Sequence, residues 1–216
     1  MKKLIVGTIL VALMNGCATR NVALNPAKAA LYRGKTITYS VHEKPSFSAM
    51  TAGKAGFGAL GAAGMNSAGN KLVQENKVPD PAVRIADTLA KDLAGMYNLS
   101  VIRPEKRAES RKPAKVAAEH SYGDIVLDVQ TKNWMFCYMP LDWNNYRVMY
   151  AAKLKLIDTK TAEVLASASY VYNSKDSGVY PSYDELTDNQ AAGLKRFLKK
   201  AEVECISEMR ERIFRK

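Results

Sequence analysis

The chain has 216 residues and a net charge of +11, with 32 Lys and Arg against 21 Asp and Glu. That length holds one domain with a proper core and short additions, and the field favours contact with anionic lipid, lipopolysaccharide, cell-wall polymer or an acidic protein. Two histidines are too few for the common metal centres, so neither a metal nor another cofactor is expected.

The first element is a short positive head, Met1-Lys2-Lys3, followed by an apolar run from Leu4 to Met14 and a small residue, Gly16. This is the form of a secretory signal over residues 1–16, and its apolar run is too short to span a bilayer. Removing it takes away Lys2 and Lys3 and no acid, which leaves +9. An exported chain rarely meets nucleic acid, so none is expected as a partner. The step Gly16-Cys17 resembles the lipobox of bacterial lipoproteins, although Met14 and Asn15 stand where that pattern prefers leucine and a small residue. The resemblance implies that Cys17 is acylated and begins the mature protein. Ala18, where an aspartate would retain the protein in the inner membrane, implies lipid anchoring on the periplasmic face of the outer membrane. The alternative is a secreted protein with a free Cys17.

Residues 17–34 read as a tether with at most one helical turn. From Lys35 the alternation Thr36-Ile37-Thr38-Tyr39-Ser40-Val41-His42 predicts a half-buried strand with His42 on its solvated face. Within an insertion over 47–79 lies the Gly/Ala-rich run 51–69. It is read either as a surface loop or small docked helix, or as a segment that enters a membrane through Gly56, Gly58, Gly61 and Gly64. Asp80-Pro81 is a helix start, an apolar stripe runs from Ala82 to Met96, and Asn98 is a left-handed stop before a short strand at 99–102. The run 103–123, with His120, reads as a basic loop, either solvated or facing an anionic surface.

From Asp124 the chain predicts two consecutive hairpins. In the first strand, strict alternation puts Ile125, Leu127, Val129, Met135, Cys137 and Met139 on the core face, provided no bulge intervenes. On that parity Trp134, Phe136 and Tyr138 fall on the other face, and with Trp143 and Tyr146 they form either a partner-binding surface or an aromatic cluster packed on itself. Ser182 to Glu185 reads as a capping box opening the last helix, whose apolar stripe includes Cys205. Cys137 and Cys205 share core-facing phase, so they are either paired in the oxidising periplasm or two separate buried thiols.

The expected fold is α+β: a mixed four- to five-stranded sheet with two main helices, in the order β-α-β-β-β-β-α, over a single domain at 35–216. In element order it resembles curli-secretion lipoproteins, lipoprotein activators of penicillin-binding proteins and the Tol amino-terminal domain. No catalytic motif is present, and no enzyme activity is expected. The expected role is an envelope assembly or accessory subunit, held by acyl chains and docking an envelope protein. The alternative is an oligomeric secretion channel or pore component that inserts residues 51–69.

Overall fold

The computed structural model describes residues 21–55 and 58–214. The signal sequence, Cys17 and Gly56 therefore lie outside the described residues. The fold is a mixed α+β sheet with helices packed on it. Its strands are β1 (Thr36–Tyr39), β2 (Ser48–Met50), β3 (Ser100–Ile102), β4 (Ile125–Met139), β5 (Asp142–Asp158) and β6 (Val164–Asn173). They run in the order β3-β1-β4-β5-β6, and β2 continues the line of β1 beside the far end of β4. β1 is parallel to β3 and β4, whereas β4, β5 and β6 form the two antiparallel hairpins.

The helices are α1 (Pro26–Ala30), α2 (Ala52–Ala55), α3 (Gly58–Glu75), α4 (Pro81–Tyr97), α5 (Pro113–Glu119) and α6 (Tyr183–Ile213). In α4, local chemistry sets both ends. The Asp80 carboxylate caps the Ala82 amide at 3.0 Å, Pro81 occupies the first turn, and Asn98 ends the helix at φ 54°. Ile85, Leu89 and Leu93 point into the core, each contributing about 1.5–3 kcal/mol of apolar burial. Met96 departs from the expected stripe and is exposed. The expected capping box is present, with the Ser182 hydroxyl accepting from the Glu185 amide and the Glu185 carboxylate accepting from the Ser182 amide. α6 breaks at Asp188, and Asn189, Gln190 and Ala191 are left-handed at φ 50°, 59° and 56°. The two arms then approach so closely that a Cβ on Gly193 would lie 1.9 Å from the Glu185 carbonyl oxygen.

Several expectations change. The segment read as an insertion supplies β2 and a long helix, α3, and the basic loop contains α5. α3 lies on β2, where Gly69 approaches the Phe47 carbonyl so closely that a Cβ would meet its oxygen at 2.1 Å. Gly61 is buried and Gly64 half-buried. Gly69 thus serves close approach of helix to strand, and among the described residues no helix is long and apolar enough to cross a membrane. Residues 21–34, expected as tether, belong to the domain. Asn25 caps α1, Leu24 and Ala29 are buried in the core, and the Tyr32 hydroxyl donates to Asp158.

The central difference is in β4. Thr131 pairs with Ala152 but Asn133 pairs with Ala151, so Lys132 is an extra residue, a β-bulge. Lys132 and Asn133 are both exposed, and from there the even positions turn inward. Trp134 is 1% exposed and Phe136 0%. The strict alternation expected for this strand holds only up to the bulge.

Candidate docking surfaces

Beyond the bulge, β4 and β5 carry an aromatic stack toward the turn between them. The Phe47 ring meets those of Trp134 and Phe136 edge-on at 5.1 and 5.8 Å, and Phe136 meets Tyr146 at 5.6 Å. Tyr183, at the start of α6, closes the stack against Phe136 and Tyr146 at 6.0 and 5.9 Å. The Trp134 indole nitrogen donates to the Pro45 carbonyl at 2.9 Å, which satisfies its only polar atom. Of the five aromatics read either as a partner surface or as a cluster packed on itself, four turn toward the core: Trp134, Phe136 and Tyr146 are buried, and Tyr138 packs half-buried at its margin. The bulge is the physical reason, because it inverts the phase on which their exposure was inferred.

Trp143 stays outside. It is 69% exposed, and Leu141 in the turn is fully exposed with φ 67°. Val179, Tyr180 and Tyr183 are also exposed, on a segment stitched to the same end of β5 by the Tyr146 amide, which donates to the Pro181 carbonyl at 2.8 Å. The tip is held rigidly from beneath by the aromatic stack and presents apolar groups to solvent. That combination suits an anchor residue that enters a pocket on a partner.

The same inversion separates the two thiols. Cys205 lies on the core-facing side of α6, its Sγ donating to Met209 Sδ at 3.6 Å, and burial pushes its thiol well above the ordinary range. Cys137, next to the inward-facing Phe136, points to the opposite side of the sheet and accepts from Arg147 Nε at 3.0 Å. Both are free, so the pairing expected as one alternative is not formed.

A polar cluster that sequence reasoning missed sits on the outward side of β1 and β4. His42 was expected to be solvated, yet it is nearly buried, with Nε2 2.6 Å from Asp128 Oδ1. Ser40 Oγ donates to the same oxygen at 2.7 Å, and Gln130 Nε2 donates to Asp128 Oδ2 at 2.6 Å. The available signal was parity: Ser40 and His42 alternate with apolar residues on one strand, and Asp128 and Gln130 do so on its neighbour. Burial pushes the Asp128 carboxyl upward, but the bonds from His42 and Ser40, the nearby His42 charge and the Gln130 bond outweigh it and leave the group below the usual carboxylate range.

Serine, histidine and aspartate together invite a test for nucleophilic catalysis. In a working relay the histidine accepts the serine proton on one nitrogen and donates to the carboxylate from the other. Here Ser40 and His42 Nε2 both address Asp128 Oδ1, with Oγ and Nε2 3.1 Å apart, and Ser40 is buried. This is a lock between strands, without a serine that a substrate can reach. Among the described residues no group of His, Cys, Asp and Glu could hold a metal ion.

The basic run after β3 borders a cleft of about 590 Å³ lined by Ile102, Arg103, Glu105, Lys106, Arg107, Glu109, Glu119, His120 and Tyr122. Three arginines and lysines there face three glutamates, so the cleft gives no strong preference for an anion. His120, expected in a polar loop, is buried at the end of α5 with Nδ1 2.9 Å from the Val116 carbonyl.

No family model matches the chain, and no curated protein matches it. Among solved structures it is similar to the lipoprotein GNA1162 from Neisseria meningitidis, at 16% identity over 81% of this chain and 99% of that one, with a TM-score of 0.35. A PelC dodecamer from Paraburkholderia phytofirmans aligns at 14% identity over 87% and 93% of the two chains, with a TM-score of 0.37. The LpoB C-terminal domain from Salmonella enterica aligns at 13% identity over 65% and 83%, with a TM-score of 0.30.

Proposed function

We propose that this protein is a non-enzymatic lipoprotein, acylated at Cys17 on the periplasmic face of the outer membrane, that docks an envelope protein through the tip of the β4–β5 hairpin. The observation that carries the reading is the exposure of Leu141 and Trp143 on a tip whose base is a closed aromatic stack. A bulky apolar residue kept in solvent on rigid support gains most by entering a partner's pocket, because little side-chain freedom remains to be lost. Confinement to the membrane surface raises the effective concentration of a weak partner. Insertion of the Gly/Ala helix is disfavoured by the use of its Gly69 face against β2.

The test places a photo-crosslinking residue at Leu141 in cells, with Val203, exposed on α6, as the control position. Crosslinks to one protein are expected at Leu141 and are expected to fall at least tenfold when Trp143→Ala is added, while stability changes by less than about 0.5 kcal/mol. Equal crosslinking at Leu141 and Val203 would remove the tip from the function.

A further inference from the structure

Helices α4 and α6 cover one face of the sheet; on the other, α5 covers Val126 and Ile157, and the segment through Ala108 and Arg111 lies beside His42 and Gln130, with Asp128 and Gln130 buried beneath. The rest of that face is formed by outward residues of the hairpins. Lys155 stands between Asp128 and Ser167, and Lys153 between Gln130 and Ser169. The bulge turns Lys132 outward as well, with Nζ donating to Gln130 Oε1 at 2.6 Å, and the Arg111 backbone is bound to Gln130. Among the described residues none of Arg111, Lys132, Lys153 and Lys155 forms an ion pair with an acid. Asp128, the carboxylate paired across from Lys155, is already engaged by His42, Ser40 and Gln130. Burial, and repulsion from Arg111, Lys155 and Lys153, push the Lys132 ammonium below its ordinary range. Clustered like charges on neighbouring strands are unfavourable until an anion covers them.

The start of the domain supplies a second, independent observation. Val22 exchanges two backbone bonds with Ser167 on β6, at 2.7 and 2.9 Å, and Asn21 Oδ1 accepts from the Ser169 amide at 3.1 Å. Leu24 donates to the Ile213 carbonyl at 3.0 Å, so this segment is fixed to the edge of the sheet. Cys17 precedes Asn21 by four residues, a reach of at most about 14 Å even when fully extended. Neighbouring strands are about 4.8 Å apart, so Lys153 and Lys155 lie roughly 5 Å in from β6 and Lys132 roughly 10 Å in. Lipid carried by Cys17 would be tied within about 14 Å of the β6 edge of the cationic face. Val171, on the same outward side, is 65% exposed.

We propose that the open face of the sheet around Lys132, Lys153 and Lys155 lies flat on an anionic lipid surface, held there by the docked segment Asn21–Leu24. The proposal rests on acylation of Cys17. Headgroup phosphates neutralise the four cations, Val171 meets the interface, and the helical face points away from the membrane.

The experiment uses the full mature protein purified from membranes, with its intact mass measured first. It is reconstituted on vesicles of phosphatidylcholine alone or with about one third phosphatidylglycerol, and in detergent, and lysine methylation is read residue by residue. On the anionic vesicles, Lys132, Lys153 and Lys155 are expected to be modified at least fivefold more slowly than in detergent, while Lys91 on α4 is unchanged. A flexible insert of about a dozen Gly and Ser residues between Arg20 and Asn21 is expected to reduce that protection. Equal modification in all three settings overturns the proposal, and so does equal protection in detergent, which would point to a protein covering the face. A mass without acyl chains refutes the Cys17 reading alone. The face is then judged by sedimentation of the Cys17→Ser chain with the anionic vesicles, where each Lys→Gln change at the three positions is expected to lower binding about fivefold. No loss in that series overturns the proposal by itself.

Discussion

Deleting Lys132 from the middle of the central strand is expected to leave the protein folded, whereas deleting Met135, three residues on, is expected to unfold it. The ladder already skips Lys132, since Thr131 faces Ala152 and Asn133 faces Ala151. Without Lys132 the same pairs form a regular antiparallel strand, Trp134 still faces Tyr150, and every inward side chain stays inward. The loss is the bond from Lys132 to Gln130, worth about 1 kcal/mol, plus local adjustment of similar size. Deleting Met135 offers no such solution. If the bulge persists, Phe136 moves opposite Met149 and leaves the core; if the bulge is absorbed, Trp134 leaves instead and Asn133 enters. Losing one such aromatic costs about 3–5 kcal/mol, a large part of a domain's total of about 5–15 kcal/mol. Urea titration followed by near-ultraviolet circular dichroism reads both variants. A fall in unfolding free energy below about 2 kcal/mol for the Lys132 deletion and loss of the cooperative transition for the Met135 deletion are expected. If the Lys132 deletion loses more than about 4 kcal/mol, the bulge does more than invert the phase and the reasoning fails.

Two further predictions concern the helix on β2 and the buried polar lock. Gly64→Ala meets nothing within 4 Å and is expected to raise stability by about 0.5–1 kcal/mol, whereas Gly69→Ala drives a methyl into the Phe47 carbonyl and is expected to destabilise by about 2 kcal/mol or more, as thermal melts would show. An equal response of the two would dissolve the close-approach account of α3. For Asp128, the folded carboxyl titrates below its unfolded value of about 3.9. Its contribution is therefore complete above about pH 4 and is lost as pH falls through the folded value. The stability gap between the native protein and Asp128→Asn, measured by urea unfolding from pH 7 downward, is expected to be constant above about pH 5 and to close in acid; a gap that widened in acid would reverse the sign of the argument.

The sequence made the elements legible where local chemistry decides them. Asp80-Pro81 and Asn98 bound α4, and Ser182 with Glu185 opens α6, because capping groups act within a few residues of the backbone they satisfy. It failed at β4 because a bulge is a property of two strands. Lys132-Asn133 carries no glycine or proline to mark it, and only the pairing with Ala151 and Ala152 reveals the extra residue. One missed residue then misassigned Trp134, Phe136, Tyr138 and Cys137 together, since a shift of one moves every later side chain to the other face. Tyr146 was misplaced with them, because its partner across the ladder is Tyr138. α3 was ambiguous for a different reason. Glycine and alanine give a weak apolar stripe, and its helix forms against β2, a strand of three residues too short to show a period.

The two surfaces proposed for this protein are far enough apart to work independently. From Lys153 to Trp143 the strand β5 runs ten residues, about 33 Å at the rise of an extended chain. An acyl anchor on Cys17 would reach at most about 14 Å beyond Asn21, so in the proposed seating the hairpin tip would stay clear of the attachment point and extend sideways over the membrane. A partner seated on Trp143 would then meet the protein at the height of the headgroups. Removing the lysines should alter orientation and leave the isolated tip's affinity intact, while Trp143→Ala should do the reverse. Because the sites share no partners and lie well beyond 10 Å, a combined variant should show the sum of the two losses on vesicles. A combined loss much larger than that sum would mean that membrane seating itself aims the tip, and that the partner is recognised together with the lipid surface.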